Sequence, residues 1–175
     1  MLQRLGRERQ GLSNRGKFVA FLIDLEGWTG LERVGTEEER KGGRVINALR
    51  SYVRGDAHFY AQIALGTVAV DSGAGVHIAE SGSIVLGGVR ITVNGSRVHE
   101  STSTIDGFEV RTLSTPVFVL IAVTLSPDAT FSLLFNKVSD DEAMAIAHKF
   151  DWKAMRAALN WRLPEVVGLP AGREV

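Results

Sequence analysis

Apolar residues come in unbroken runs separated by polar stretches, and the first run sets the pattern. Lys17-Phe18-Val19-Ala20-Phe21-Leu22-Ile23-Asp24-Leu25-Glu26 opens with a continuous β-branched and aromatic stretch. Such a stretch reads as a strand buried on both faces, and so as a central strand of a parallel or mixed sheet. Alternation along that strand puts Asp24 and Glu26 on the same side, while Gly27 and Gly30 let the backbone turn away. Thr36 followed by Glu37, Glu38 and Glu39 is a capping-box pattern. With Val45, Leu49, Tyr52 and Val53 at helical spacing, it predicts a helix that ends near Arg54-Gly55. Ala57 to Leu65 fits either a further helical turn or the approach to a strand. Thr67-Val68-Ala69-Val70 reads as a short strand ending in Asp71, followed by Ser72-Gly73-Ala74-Gly75. Strand, helix, strand, with acids at both strand ends, predicts an α/β fold: a mostly parallel central sheet flanked by helices.

In the middle of the chain, Asn94-Gly95 stands between the alternating β-formers Val89 to Val93 and Ser96 to Glu100. That dipeptide is a strong signal for a two-residue hairpin, and predicts a β-hairpin insertion around residues 89–100. In that register Glu100 opposes Val89 on the apolar face, where a carboxylate must be protonated, paired or bound to a cation. The alternative is that the hairpin stops short of Glu100 and its side chain reaches water. His99 then points to the other, exposed face. Pro116 to Leu125 reads as a buried strand, and Phe131, Leu133 and Phe135 alternate as a strand with one apolar face. Ser139 and Asp151 each introduce a helix, the first marked by Ala143, Ile146, Ala147 and Phe150, the second by Trp152, Met155, Leu159 and Leu163 before Pro164. The tryptophans and methionines read as core. These elements suggest a basic arm over 1–16, one domain over 17–167 and a frayed tail over 168–175.

Composition adds mainly exclusions. The 175 residues suit one domain, and acids and bases balance at 20 each, so no net field draws nucleic acid or an anionic membrane. Arg4, Arg7, Arg9, Arg15 and Lys17 form a basic arm, for which a solvated terminus is the commoner reading than a nucleic-acid contact. The absence of cysteine excludes disulfides and thiolate chemistry. No apolar run reaches the length of a membrane span, and residues 1–17 lack the core of a signal peptide, which makes the cytoplasm the expected compartment. Gly73-Ala74-Gly75 lacks the third glycine of a dinucleotide fingerprint, and Arg54-Gly55-Asp56 reads as a helix-end turn.

Asp24 and Glu26 carry the candidate chemistry. Two carboxylates facing one way repel unless a cation or proton is shared, so they form a candidate divalent-metal site; otherwise one caps the next turn and the other is solvated. Asp24-Leu25-Glu26-Gly27-Trp28-Thr29-Gly30 and Asn94-Gly95-Ser96-Arg97-Val98-His99-Glu100 together resemble the D-aminopeptidase family of zinc peptidases. Glu39-Arg40, Val70-Asp71-Ser72-Gly73 and Thr115-Pro116-Val117-Phe118 are similar to further segments of that family, in the same order over most of residues 17–125. The resemblance implies a metal centre that activates water to release an N-terminal D-residue from a peptide substrate. Asp24, Glu26 and Glu100 carry over as metal ligands. The family's histidines do not, because Gly73 stands where one is expected and the following segment is short; His77 is the candidate substitute. Asp71 and Ser72 carry over as candidate substrate contacts, and no catalytic base is identifiable. The resemblance implies zinc, whereas a carboxylate-only site favours harder cations such as manganese, magnesium or calcium. The expectation is a metal-dependent, aminopeptidase-like hydrolase that forms a homo-oligomer. The alternative is a catalytically inactive relative acting as a self-assembling binding or structural protein.

Overall fold

A period of two, rather than 3.6, governs residues 34–65, and that choice decides the architecture. The computed structural model describes residues 16–40, 43–66, 77–79, 83–86, 89–92 and 98–159. β1 (Thr29–Gly30) and β2 (Val34–Arg40) lie along the same edge of β3 (Gly43–Arg54), which turns back into β4 (Ala57–Leu65). Ile46, Ala48, Arg50 and Tyr52 share one face of β3, directly opposite Leu65, Ile63, Ala61 and Phe59 of β4. Gly55, at φ 60°, opens the two-residue turn between them. The expected helix over this stretch is therefore a pair of strands, and Arg54-Gly55-Asp56 is a hairpin turn. The spacing of Val45, Leu49 and Tyr52 fits a helix, but Ile46, Ala48 and Tyr52 fit a strand equally well, and pairing with β4 decides between them.

β5 (His77–Ala79), β6 (Ser83–Leu86) and β7 (Val89–Thr92) form a separate three-stranded antiparallel sheet. A four-strand meander follows: β8 (His99–Ile105), β9 (Phe108–Ser114), β10 (Phe118–Ser126) and β11 (Ala129–Asn136). β11 then pairs with β4, so the main sheet runs β1-β3-β4-β11-β10-β9-β8, with β2 beside β3 and every pairing antiparallel. The expected parallel α/β sheet is corrected accordingly. Val89–Thr92 and Glu100 are not hairpin partners either. β7 pairs with β6, and β8 pairs with β9 across Asp106-Gly107, whose φ angles of 51° and 78° are those of a type I′ turn. The Asn94-Gly95 turn lies outside the described residues.

One face of the main sheet is covered. Phe59, Ile63, Phe131, Leu133, Phe135, Ile121 and Val123 are wholly buried there, in one cluster with α1 (Asp140–Ala147) and α2 (Trp152–Ala158). The two helices begin where the sequence predicts, with Ser139 and Asp151 accepting the N–H groups of Glu142 and Ala154 at 3.3 and 2.9 Å. Arg156 of α2 lies 3.6 Å from the Phe108 ring and donates to the carbonyls of Leu125 and Gly107, which ties the helix to the β8–β9 turn. Residues 16–19 form a helical turn rather than the opening of a central strand, followed by irregular backbone to Trp28. Phe18, Leu22 and Leu25 are buried in the same cluster, so the apolar run works as a cover for the sheet. No described helix is long and apolar enough to cross a membrane.

Candidate functional site

The first acid of the sequence is held by arginine. Arg50 occupies a covered-face position on β3 and is only 6% exposed. Its guanidinium donates to Leu22 O at 2.8 Å, to Leu31 O at 3.0 Å and to the Asp24 carboxylate. Arg33 adds a bond to Leu22 O at 2.9 Å and stands 3.7 Å from Asp24, while the Tyr52 hydroxyl donates to Ile23 O at 2.8 Å. The rigid fork of an arginine suits this task, because one side chain satisfies two carbonyls and an acid in irregular backbone. Gly30 is required here for a reason other than turning: a Cβ at this position would overlap the Arg50 guanidinium. Gly27, at φ 79°, does make the turn.

The hydrogen bond from Arg50, and then its charge, hold the Asp24 carboxyl below its ordinary value of 3.8; Arg33 adds to this and slight desolvation opposes it. A carboxyl whose pKa is depressed on folding stabilises the fold above its unfolded value and loses that contribution as pH falls through the folded one. Asp24→Asn is therefore expected to flatten the acid limb of the stability profile below about pH 4 at low ionic strength, measured by urea unfolding. The two profiles should run parallel from pH 5 to pH 7, and a divergence there would contradict the assignment.

Glu26 is exposed beside this clamp, but Glu100 is far away. From β3 to β8 there are five strand steps, roughly 24 Å at about 4.8 Å each. The register also puts Glu100 on the face opposite Arg50, where it pairs with Arg111 of the neighbouring strand β9. Asp24 and Glu100 thus each meet an arginine at opposite ends of the sheet. His77 lies in β5, and Asp71 and Ser72 lie outside the described residues. Among the described residues no three His, Cys, Asp or Glu side chains gather as a metal site. Among the described residues the expected grouping of Asp24, Glu26 and Glu100 around one metal ion is therefore not formed.

Two concavities are formed by described residues. A groove of about 210 Å³ crosses β8 to β11 on the face opposite the helices, with Leu113, Leu120 and Ala122 on its floor and Glu100, Glu109, Arg111 and Thr130 around it. A cleft of about 280 Å³ sits where α1 meets α2, between Asp106, Lys149 and Lys153 and the aromatic rings of Phe108 and Trp152. His148 stacks on Trp152 with centroids 5.1 Å apart, and the buried indole N–H of Trp152 has no acceptor.

The edge of the sheet beside the first groove is its most accessible backbone. Every residue of β8 from His99 to Thr104 is exposed, and among the described residues β8 pairs with β9 alone. In a two-residue hairpin the pair flanking the turn, Ile105 and Phe108, exchanges hydrogen bonds, so alternate residues Glu100, Thr102 and Thr104 direct their N–H and C=O away from β9. The register with β9 runs unbroken from His99 to Ile105, and β8 contains no lysine, proline or glycine. Natural sheet edges are usually blunted by lysine, proline, a bulge or charged side chains; the one acid of β8, Glu100, is paired with Arg111. The opposite edge is protected: it is broken at residues 31–33, and β2 reads Val-Gly-Thr-Glu-Glu-Glu-Arg. The signal for β8 was present in the sequence, because Asp106-Gly107 is as strong a hairpin dipeptide as Asn94-Gly95. No family model, curated protein or solved structure matches the chain.

Proposed function

We propose that this chain is a binding or structural protein that works by strand addition, taking an extended segment of a partner along the open edge of β8. The single observation that carries the reading is an exposed, regular strand whose outward backbone groups meet no partner among the described residues. Such an edge recruits main-chain hydrogen bonds from any extended chain, and neighbouring pockets then select side chains. The groove over Leu113 and Leu120 lies beside the edge and is placed to do so.

A fluorescently labelled nine-residue peptide of alternating threonine and valine tests this directly. Saturable anisotropy is expected with the wild-type chain. Thr102→Pro removes one outward N–H and is expected to weaken binding at least tenfold while the circular dichroism spectrum is kept. A flat titration at chain concentrations where the protein is monomeric, or equal binding by a folded Thr102→Pro chain, would refute strand addition at β8. Thr36→Pro on the acidic β2 edge serves as the matched control.

A further inference from the structure

Resting on that reading, we infer that the strand β8 accepts is β8 of a second copy of this chain, antiparallel about a two-fold axis through Thr102. Alignment on Thr102 places Glu100 opposite Thr104 of the other copy and Ser101 opposite Ser103, and uses the full length of His99–Ile105. Each outward-directed residue then meets another outward-directed residue: Glu100 with Thr104, Thr102 with itself, Thr104 with Glu100. Sliding either copy by two residues loses one of these pairs, and centring on Glu100 would oppose two carboxylates. Threonine beside threonine, and serine beside serine, are favourable cross-strand neighbours.

Charge agrees with this choice of partner. Glu100 is already neutralised within its own chain by Arg111, so the two copies bring no uncompensated acid to the axis. A β2–β2 contact would instead oppose rows of glutamates, and like charges directly across a ladder repel. The interface is therefore isologous, and it closes after two copies because the other edge of the main sheet is broken and carries the β2 glutamates. The product is one continuous antiparallel sheet across both copies, with helices on the same face throughout.

Light scattering after size exclusion, over a concentration series, is the first test. The wild type is expected to move from 19.0 kDa to twice that mass. Thr102→Lys, which opposes two ammonium groups at the axis, is expected to stay at the monomer mass while keeping the circular dichroism spectrum of the wild type. Because the chain contains no cysteine, Thr102→Cys carries a single thiol, and a short bismaleimide should join two chains through it. The same reagent should leave Thr36→Cys on β2 monomeric. A wild type that is monomeric at every concentration, or a dimer that survives Thr102→Lys, would overturn the inference. A monomer that still binds the threonine-valine peptide refutes only the second copy as partner, whereas a monomer that does not bind it refutes strand addition as well.

Discussion

Replacing Arg50 with alanine is expected to destabilise the chain by about 3 kcal/mol, because it removes a buried donor together with the packing of its stem. The Leu31 carbonyl loses the Arg50 bond, and the Leu22 carbonyl keeps only its bond from Arg33. For a chain of this size, that corresponds to a fall in Tm of roughly 6–12 °C. Arg50→Lys should recover little, since an ammonium on a flexible stem cannot serve two carbonyls and a carboxylate at once. Gly30→Ala should reproduce part of the loss by displacing the guanidinium. Contact with the end of a flexible side chain is ordinarily relieved by a small rotation, but this one is fixed by the three acceptors it serves. Asp24→Asn should cost much less than any of these, because Asp24 is largely solvated. Thermal unfolding of the four variants gives the order, and an Arg50→Ala chain as stable as wild type would show that residues 22–31 are held by other means.

Phe59→Ala is expected to have an effect of about 4 kcal/mol, and thus to lower Tm by roughly 8–16 °C. Phe59 is fully buried and stacks on Tyr52 with centroids 4.3 Å apart; Phe135 lies at 4.8 Å and Trp28 meets it edge-on at 4.9 Å. Its ring is the one point shared by β3, β4, β11 and the covering segment, so the cavity left by alanine cannot be filled by movement of a single neighbour. Phe59→Leu, which keeps most of the volume, should cost less than half as much. A loss for Phe59→Ala no larger than that of an exposed position such as Tyr60→Ala would mean that the aromatic cluster is not the centre of the core.

Some of this architecture is legible in the sequence. β10 and β11 announce themselves as a buried run and an alternating run joined by Ser126-Pro127-Asp128, and both helices carry their caps at Ser139 and Asp151. The first apolar run is not legible, because a segment packed beneath a sheet and a strand buried within one have the same composition. Phe18, Leu22 and Leu25 do recur at near-helical spacing, but the equally apolar Val19, Phe21 and Ile23 hide it. Arg50 falls inside the stretch that reads as a helix, and only the tertiary arrangement shows that it faces inward with carbonyls to satisfy. The sequence marks the acids at 24 and 100 as candidates for a nearby positive charge. Local pattern does not reveal that two arginines supply it to Asp24 and Glu100, since Arg50 and Arg111 reach those acids only after the strands are in register.

The pairing of β4 with β11 joins Leu65 to Ala129 and His58 to Asn136, neighbours in space that are remote along the chain. β2-β3-β4 and β8-β9-β10-β11 are each closed by short turns and can form independently, whereas the seam between them must wait for the ends of the intervening segment, which contains β5, β6 and β7, to come together. The middle of the sheet is thus its kinetically latest part. Substitutions at that seam, Ala61 or Leu133 among them, should slow folding less than they speed unfolding, while those within either meander should show in the folding rate.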